Sequence, residues 1–150
     1  MSRGWLVALL ATVAGVVLIG VLAIVALASG DDTLVLDLDA GDCFRLPDDM
    51  SETAIDTVET IDCNAAHEAE VFSTGELNHE RELPYPGEQQ LFTTADRRCA
   101  AVLSERPDLV DRFGILPVVP NEASWDSFRG RYVCVAIPYG GGTTEGSLGF

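Results

Sequence analysis

The chain has 150 residues, is 47% hydrophobic and carries a formal net charge of −15 at pH 7. All nine basic residues are arginines and they are scattered, so the chain lacks the clustered positive charge that nucleic acid and anionic lipid surfaces require. Its length allows one domain beyond a targeting or anchoring segment.

Residues 5–28, WLVALLATVAGVVLIGVLAIVALA, contain no charge. At ~1.5 Å per helical residue this run reaches roughly 36 Å, enough to cross a hydrocarbon core of about 30 Å with some tilt. Arg3 precedes it, whereas Asp31 and Asp32 follow, so the positive-inside tendency places the amino terminus in the cytoplasm. A cleaved signal peptide is the rival reading, since Ala26-Leu27-Ala28 resembles a cleavage site. The apolar run is longer than the usual signal core of about 7–15 residues, which favours an uncleaved signal anchor. The expected organisation is a cytoplasmic tip at 1–4, a transmembrane helix in the lipid bilayer at 5–28, a spacer at 29–32 and an extracytoplasmic domain at 33–150. That exported part holds eight arginines and all 24 acids, a balance of 8 − 24 = −16. Such acidity supports solubility and names no partner.

Residues 33–38 (TLVLDL) read as a strand ended by Ala40-Gly41-Asp42. Residues 45–54 are polar and turn-rich. The stretches 57–63 and 68–74 read as two strands joined through Asn64-Ala65-Ala66-His67, which predicts a β-hairpin with IDCNAAHEAEVF at its tip. Loop signals dominate from Asn78 to Tyr85-Pro86-Gly87. Residues 87–105 form the best helix of the exported part, because Leu91, Ala95, Cys99, Val102 and Leu103 share one face. Pro107 helps to end it, and one short helical turn is expected at 108–113. A short apolar stretch at 115–119 follows, interrupted by Pro117. Residues 131–137 (RYVCVAI) predict a buried strand with Tyr132, Cys134 and Ala136 on one face and Val133, Val135 and Ile137 on the other. The glycine-rich tail is expected to be irregular. The fold class is therefore α+β: a transmembrane helix followed by a small disulfide-stapled domain with an antiparallel sheet and one main helix.

The chemistry of the IDCNAAHEAEVF stretch admits three readings. As a metal site it is poor: H-E-x-x-H needs a second histidine at residue 71, which is Val71, and no two cysteines stand close together. The acidic run Asp37, Asp39, Gly41, Asp42 departs from the calcium-loop order, which calls for glycine and glutamate where Asp42 and Asp48 stand. As a nucleophile Cys63 would need a base and an oxyanion stabiliser, and only His67 offers itself. The third reading is a structural disulfide. Cys43, Cys63, Cys99 and Cys134 all lie in the exported part, and an even count outside the cytoplasm favours two bridges. Three connectivities are open. The favoured one, Cys43–Cys63 with Cys99–Cys134, ties the first strand to the hairpin and the helix to the last strand.

Gly41-Asp42-Cys43-Phe44, then Asp62-Cys63, His67-Glu68, Glu70-Val71-Phe72, Tyr85-Pro86-Gly87, Cys99, Pro120, Trp125, Cys134 and Gly146-Ser147-Leu148 resemble, in that order, the septum formation domain of actinobacterial envelope proteins. The resemblance covers roughly 34–149, and the absence of lysine fits a high-GC genome. Two positions depart from the family pattern: Ala66 stands before the histidine and Phe128 three residues after the tryptophan, where proline and glycine are common. The resemblance implies a role in division or septum assembly and no catalytic residue. It carries over the four cysteines, with Gly41, Asp42, His67 and Trp125 as shape-setting or contact residues. Arg131, in the same loop region, is a further candidate.

The expectation is a non-enzymatic, membrane-anchored domain without metal or cofactor, binding another envelope protein or a wall component. The alternative is an envelope thiol enzyme using Cys63 and His67. Trp125, beside Phe128 and Arg129, is either a contact residue or the cover of the Cys99–Cys134 bridge.

Overall fold

The computed structural model describes residues 32–47 and 56–150. The transmembrane, cytoplasmic and cleavage-site expectations, with most of the spacer, lie outside these residues. Among the described residues no helix is long and apolar enough to cross a membrane.

Asp31–Phe150 forms one compact unit. Among the described residues its six strands are β1 (Asp32–Leu34), β2 (Cys43–Arg45), β3 (Thr57–Ile61), β4 (Ala69–Glu76), β5 (Phe113–Val118) and β6 (Arg131–Pro138). Helix α1 spans Glu88–Leu103 and a short α2 spans Pro107–Val110. All strand pairs are antiparallel, in the order β1-β3-β2-β4-β6-β5.

Strand β6 sits inside the sheet and feeds both faces. Tyr132, Cys134 and Ala136 join Ala95, Cys99 and Leu103 of α1 in one apolar cluster, with Phe72, Leu109 and Phe113. Val133 and Val135 join Val35, Leu38, Phe44, Val58, Ala69 and Val71 in a second cluster on the opposite face. This division follows from the period of two along a strand, and it agrees with the alternation read from RYVCVAI. Helix α1 agrees as well: Leu91, Ala95, Cys99 and Leu103 are buried. Pro117 is tolerated in β5 because β5 is an edge strand.

Three expectations need correction. The stretch 33–38 is a strand only as far as Leu34; Val35–Asp37 turns as a 3-10 helix. Val35 and Leu38 are both buried at a spacing of three, which a straight strand would send to opposite faces. Residues 43–45, of which Arg45 begins the stretch 45–54 expected to be turn-rich, form β2. The hairpin does not exist: β2 lies between β3 and β4, pairing Cys43 with Ile61 on one side and with Glu70 on the other. Consequently IDCNAAHEAEVF crosses the end of β2 instead of closing a tight turn.

Both disulfides are present as favoured, Cys43–Cys63 and Cys99–Cys134, with Cα–Cα distances of 5.3 and 5.4 Å. The first links the start of β2 to the crossing segment. The second staples α1 to β6 across the helix-side cluster.

Candidate functional site

His67 is fully buried, contrary to its expected place at a hairpin tip. Its main chain forms a two-way bridge with Thr144, at 2.9 and 2.8 Å. The ring Nδ1 lies 2.9 Å from the Ala65 carbonyl, which can only accept, so Nδ1 carries a hydrogen. Nε2 has no hydrogen-bond partner and stands 3.9 Å from Oε2 of Glu70, which is also buried. The two form an ion pair only when the ring carries both protons.

Glu70 has a clear task. Its carboxylate accepts from Ser147 Oγ at 2.8 Å and from the Leu148 amide at 2.8 and 3.1 Å. Gly146 N–H adds a bond to the Cys63 carbonyl. Further along, Arg106 donates to the carbonyls of Leu148 and Gly149, and Phe150 lies 5.0 Å from the Phe72 ring. The glycine-rich tail is thus a strap held at four points: the His67–Thr144 bridge, the Gly146–Cys63 bond, the Glu70 carboxylate and Arg106. Glu70→Gln keeps the shape but replaces one acceptor oxygen by a donor facing other donors. We expect it to cost about 1–3 kcal/mol and to speed amide exchange at Leu148; an unchanged denaturation midpoint would contradict the latch.

The Glu70 carboxylate also lies within 4.8 Å of the Cys43 and Cys63 sulfurs. With the sulfurs joined to each other, neither is a thiolate, so this trio does not form a ligand set in the oxidised domain. Among the described residues there is no free cysteine. Cys63 therefore presents no nucleophile here, and His67 spends its ring inside the protein.

Gly41 and Asp42 shape the turn into β2. Gly41 has φ +98°, a region that favours glycine, and its N–H bonds the Val71 carbonyl. Asp42 Oδ2 accepts from the Asp39 amide at 2.8 Å. Arg131 reaches this turn from β6, donating through Nη2 to the Leu38 carbonyl and to Asp39 Oδ1.

Trp125 is buried, 4% exposed, yet stands apart from the cluster holding the Cys99–Cys134 bridge. It neither projects into solvent nor covers the disulfide. Its Nε1–H donates to the Leu83 carbonyl at 2.9 Å and its ring meets Tyr85 edge-on at 5.9 Å. The bend before β6 brings it there: Gly130 has φ +64°, and a Cβ on it would stand 2.6 Å from a Trp125 ring carbon. Asn78, absent from the sequence-derived candidates, completes the arrangement. It is buried; its Oδ1 accepts from the Leu83 amide at 2.9 Å and its Nδ2 donates to the Leu83 carbonyl and to Asp126. Nothing in the sequence marks this asparagine, since its partner lies five residues on in a loop.

At the edge of this loop Glu76 is flanked by His79 at 2.7 Å and by Arg129 at 2.6 Å. The His79 hydrogen bond, with Arg129 assisting, holds its carboxyl below the usual value of about 4.5. Arg106 likewise lowers Asp108. A carboxyl lower in the folded than in the unfolded state stabilises fully above the unfolded value and loses this as pH falls through the folded one. The urea midpoint should therefore drop as pH falls below the ordinary glutamate value of about 4.5, less steeply in Glu76→Gln. Equal acid slopes in the two proteins would contradict the role of Glu76.

These groups lock three loops onto a rigid sheet: the turn at Gly41, the strap and the segment after β4. A family model described as septum formation matches residues 40–142. No curated protein and no solved structure matches the chain.

Proposed function

The chain belongs to the septum formation family, and from that premise we propose that it is a membrane-anchored extracytoplasmic protein that acts in cell division through contacts with another envelope protein or a wall component. One observation carries this reading. The family match and both disulfides fall on a domain whose buried polar side chains, Asn78, Trp125 and Glu70, are spent on holding surface loops in place. A scaffold of that kind presents surfaces. The apolar run at 5–28 supplies the anchor, with residues 1–4 inside and the domain outside, and the acidic composition leaves nucleic acid out. The role is non-enzymatic, with the four sulfurs serving as cross-links, and the lysine-free composition accords with an actinobacterial source.

The test is fluorescence localisation of a tagged full-length copy in dividing cells. Enrichment at mid-cell, timed with constriction, is the expected result. Even staining of the whole perimeter would contradict the septal role.

A further inference from the structure

We propose that Leu83 is the docking peg of the domain, entering an apolar socket rimmed by lysine or arginine on a partner protein. This rests on the binding role proposed above and names the contact through which it acts. Large apolar side chains exposed singly are ordinary, and Leu34, Phe92, Val110 and Tyr139 are examples. Leu83 differs in what holds it. The residue is 56% exposed, while its main chain is bonded on both polar groups by side chains that are themselves buried. Asn78 Oδ1 takes its N–H, and Asn78 Nδ2 and Trp125 Nε1 both donate to its carbonyl. A buried asparagine and a buried tryptophan thus converge on one residue whose apolar side chain they leave in water.

Packing does not account for that placement, because Leu83 belongs to neither apolar cluster. Preorganisation does: a loop already fixed in its bound shape loses little entropy on association, so one projecting leucine retains most of its burial energy. The charge around it sets the partner's rim. Glu82 directly precedes Leu83, Glu80 stands beyond Arg81 in the same loop, and Glu88 and Glu122 lie close enough to act on Tyr85. Across a domain with an acid excess of this size, a basic rim complements the peg, and an acidic one would be repelled.

The experiment uses the full-length chain in dividing cells that lack the chromosomal copy. A photo-crosslinking amino acid is placed at position 83 and, for comparison, at Phe92 and at Tyr139. The expected result is a discrete adduct with a different protein from position 83 alone, attached beside Lys or Arg in that partner. In extracted envelopes its yield should fall as salt is raised. Asn78→Ala, with the crosslinker kept at 83, should cut the yield by about tenfold by loosening the loop. Leu83→Asp should fail to restore division while keeping the wild-type melting temperature, whereas Phe92→Asp restores it. An adduct equally strong at Tyr139 or Phe92, a second copy of this chain as the captured species, a wall glycan, or full restoration by Leu83→Asp would each overturn the inference. Localisation separates the two claims. Mid-cell enrichment with no adduct at 83 leaves the septal role standing and removes the peg; an adduct at 83 on an evenly distributed protein does the reverse.

Discussion

Replacing Cys99 and Cys134 together by alanine is expected to lower the unfolding free energy by about 4 kcal/mol. The bridge closes a span of 35 residues, for which the loop-closure estimate is about 4 kcal/mol, against about 3 for the 20-residue span of Cys43–Cys63. Both sulfurs are buried in the cluster that joins α1 to β6, so the double variant also loses packing there. A domain of this size has roughly 5–15 kcal/mol in total, so the change removes a large share of its stability. Urea denaturation of the two double variants measures both costs. The Cys99/Cys134 pair should lose more than the Cys43/Cys63 pair, and a loss below about 1 kcal/mol would show that α1 is held by packing alone.

Trp125→Ala should be nearly as damaging, at about 3–5 kcal/mol for a buried tryptophan. It vacates the space under Gly130 and Tyr85 and removes one of two donors from the Leu83 carbonyl. Trp125→Phe should recover part of the stability by restoring packing without the N–H donor. The diagnostic readout is amide exchange at Leu83, whose N–H bonds Asn78 and not the tryptophan. If the loop is one cooperative unit, exchange at Leu83 accelerates in Trp125→Ala although its own bond partner is intact. Full protection there, with less than about 1 kcal/mol lost, would mean that Asn78 holds the loop unaided.

The parts of the fold that the sequence made legible are those governed by local period. YVCVAI is an unbroken apolar run because β6 is buried on both faces, and α1 shows its inward stripe from Leu91 to Leu103 because the opposite side meets water. Pairing between strands is a different matter. Strand β2 has three residues, too few for a pattern, and its insertion between β3 and β4 depends on partners far along the chain. The hairpin reading of the 61–72 stretch therefore failed although both of its strands exist. The 3-10 turn after Leu34 was hidden because VLD looks the same in either conformation until the burial of Val35 and Leu38 decides it.

Among site residues, the cysteines and the Gly41-Asp42 turn carry their roles in their chemistry, whether an even sulfur count or a positive φ. His67, Glu70 and Asn78 do not. A histidine or glutamate next to other polar residues reads as surface, and what buries this pair is a strap that begins over 70 residues further on, where Thr144 meets His67 and Ser147 meets Glu70. Trp125 was legible as important but not for what it touches, since its partner, the Leu83 carbonyl, is main chain.

Disulfide mapping of the native full-length protein, taken from the envelope of growing cells, decides the matter most directly. Free thiols are first blocked with an alkylating reagent, and the protein is then cleaved after arginine without reduction. Arg45, Arg81, Arg98 and Arg131 separate the four cysteines onto four different peptides. The expected result is no blocked thiol and two linked pairs, the Cys43 peptide with the Cys63 peptide and the Cys99 peptide with the Cys134 peptide. Alkylated Cys63 in a folded, functional protein, or either exchanged pairing, would contradict a domain whose sulfurs serve only to hold its loops in place.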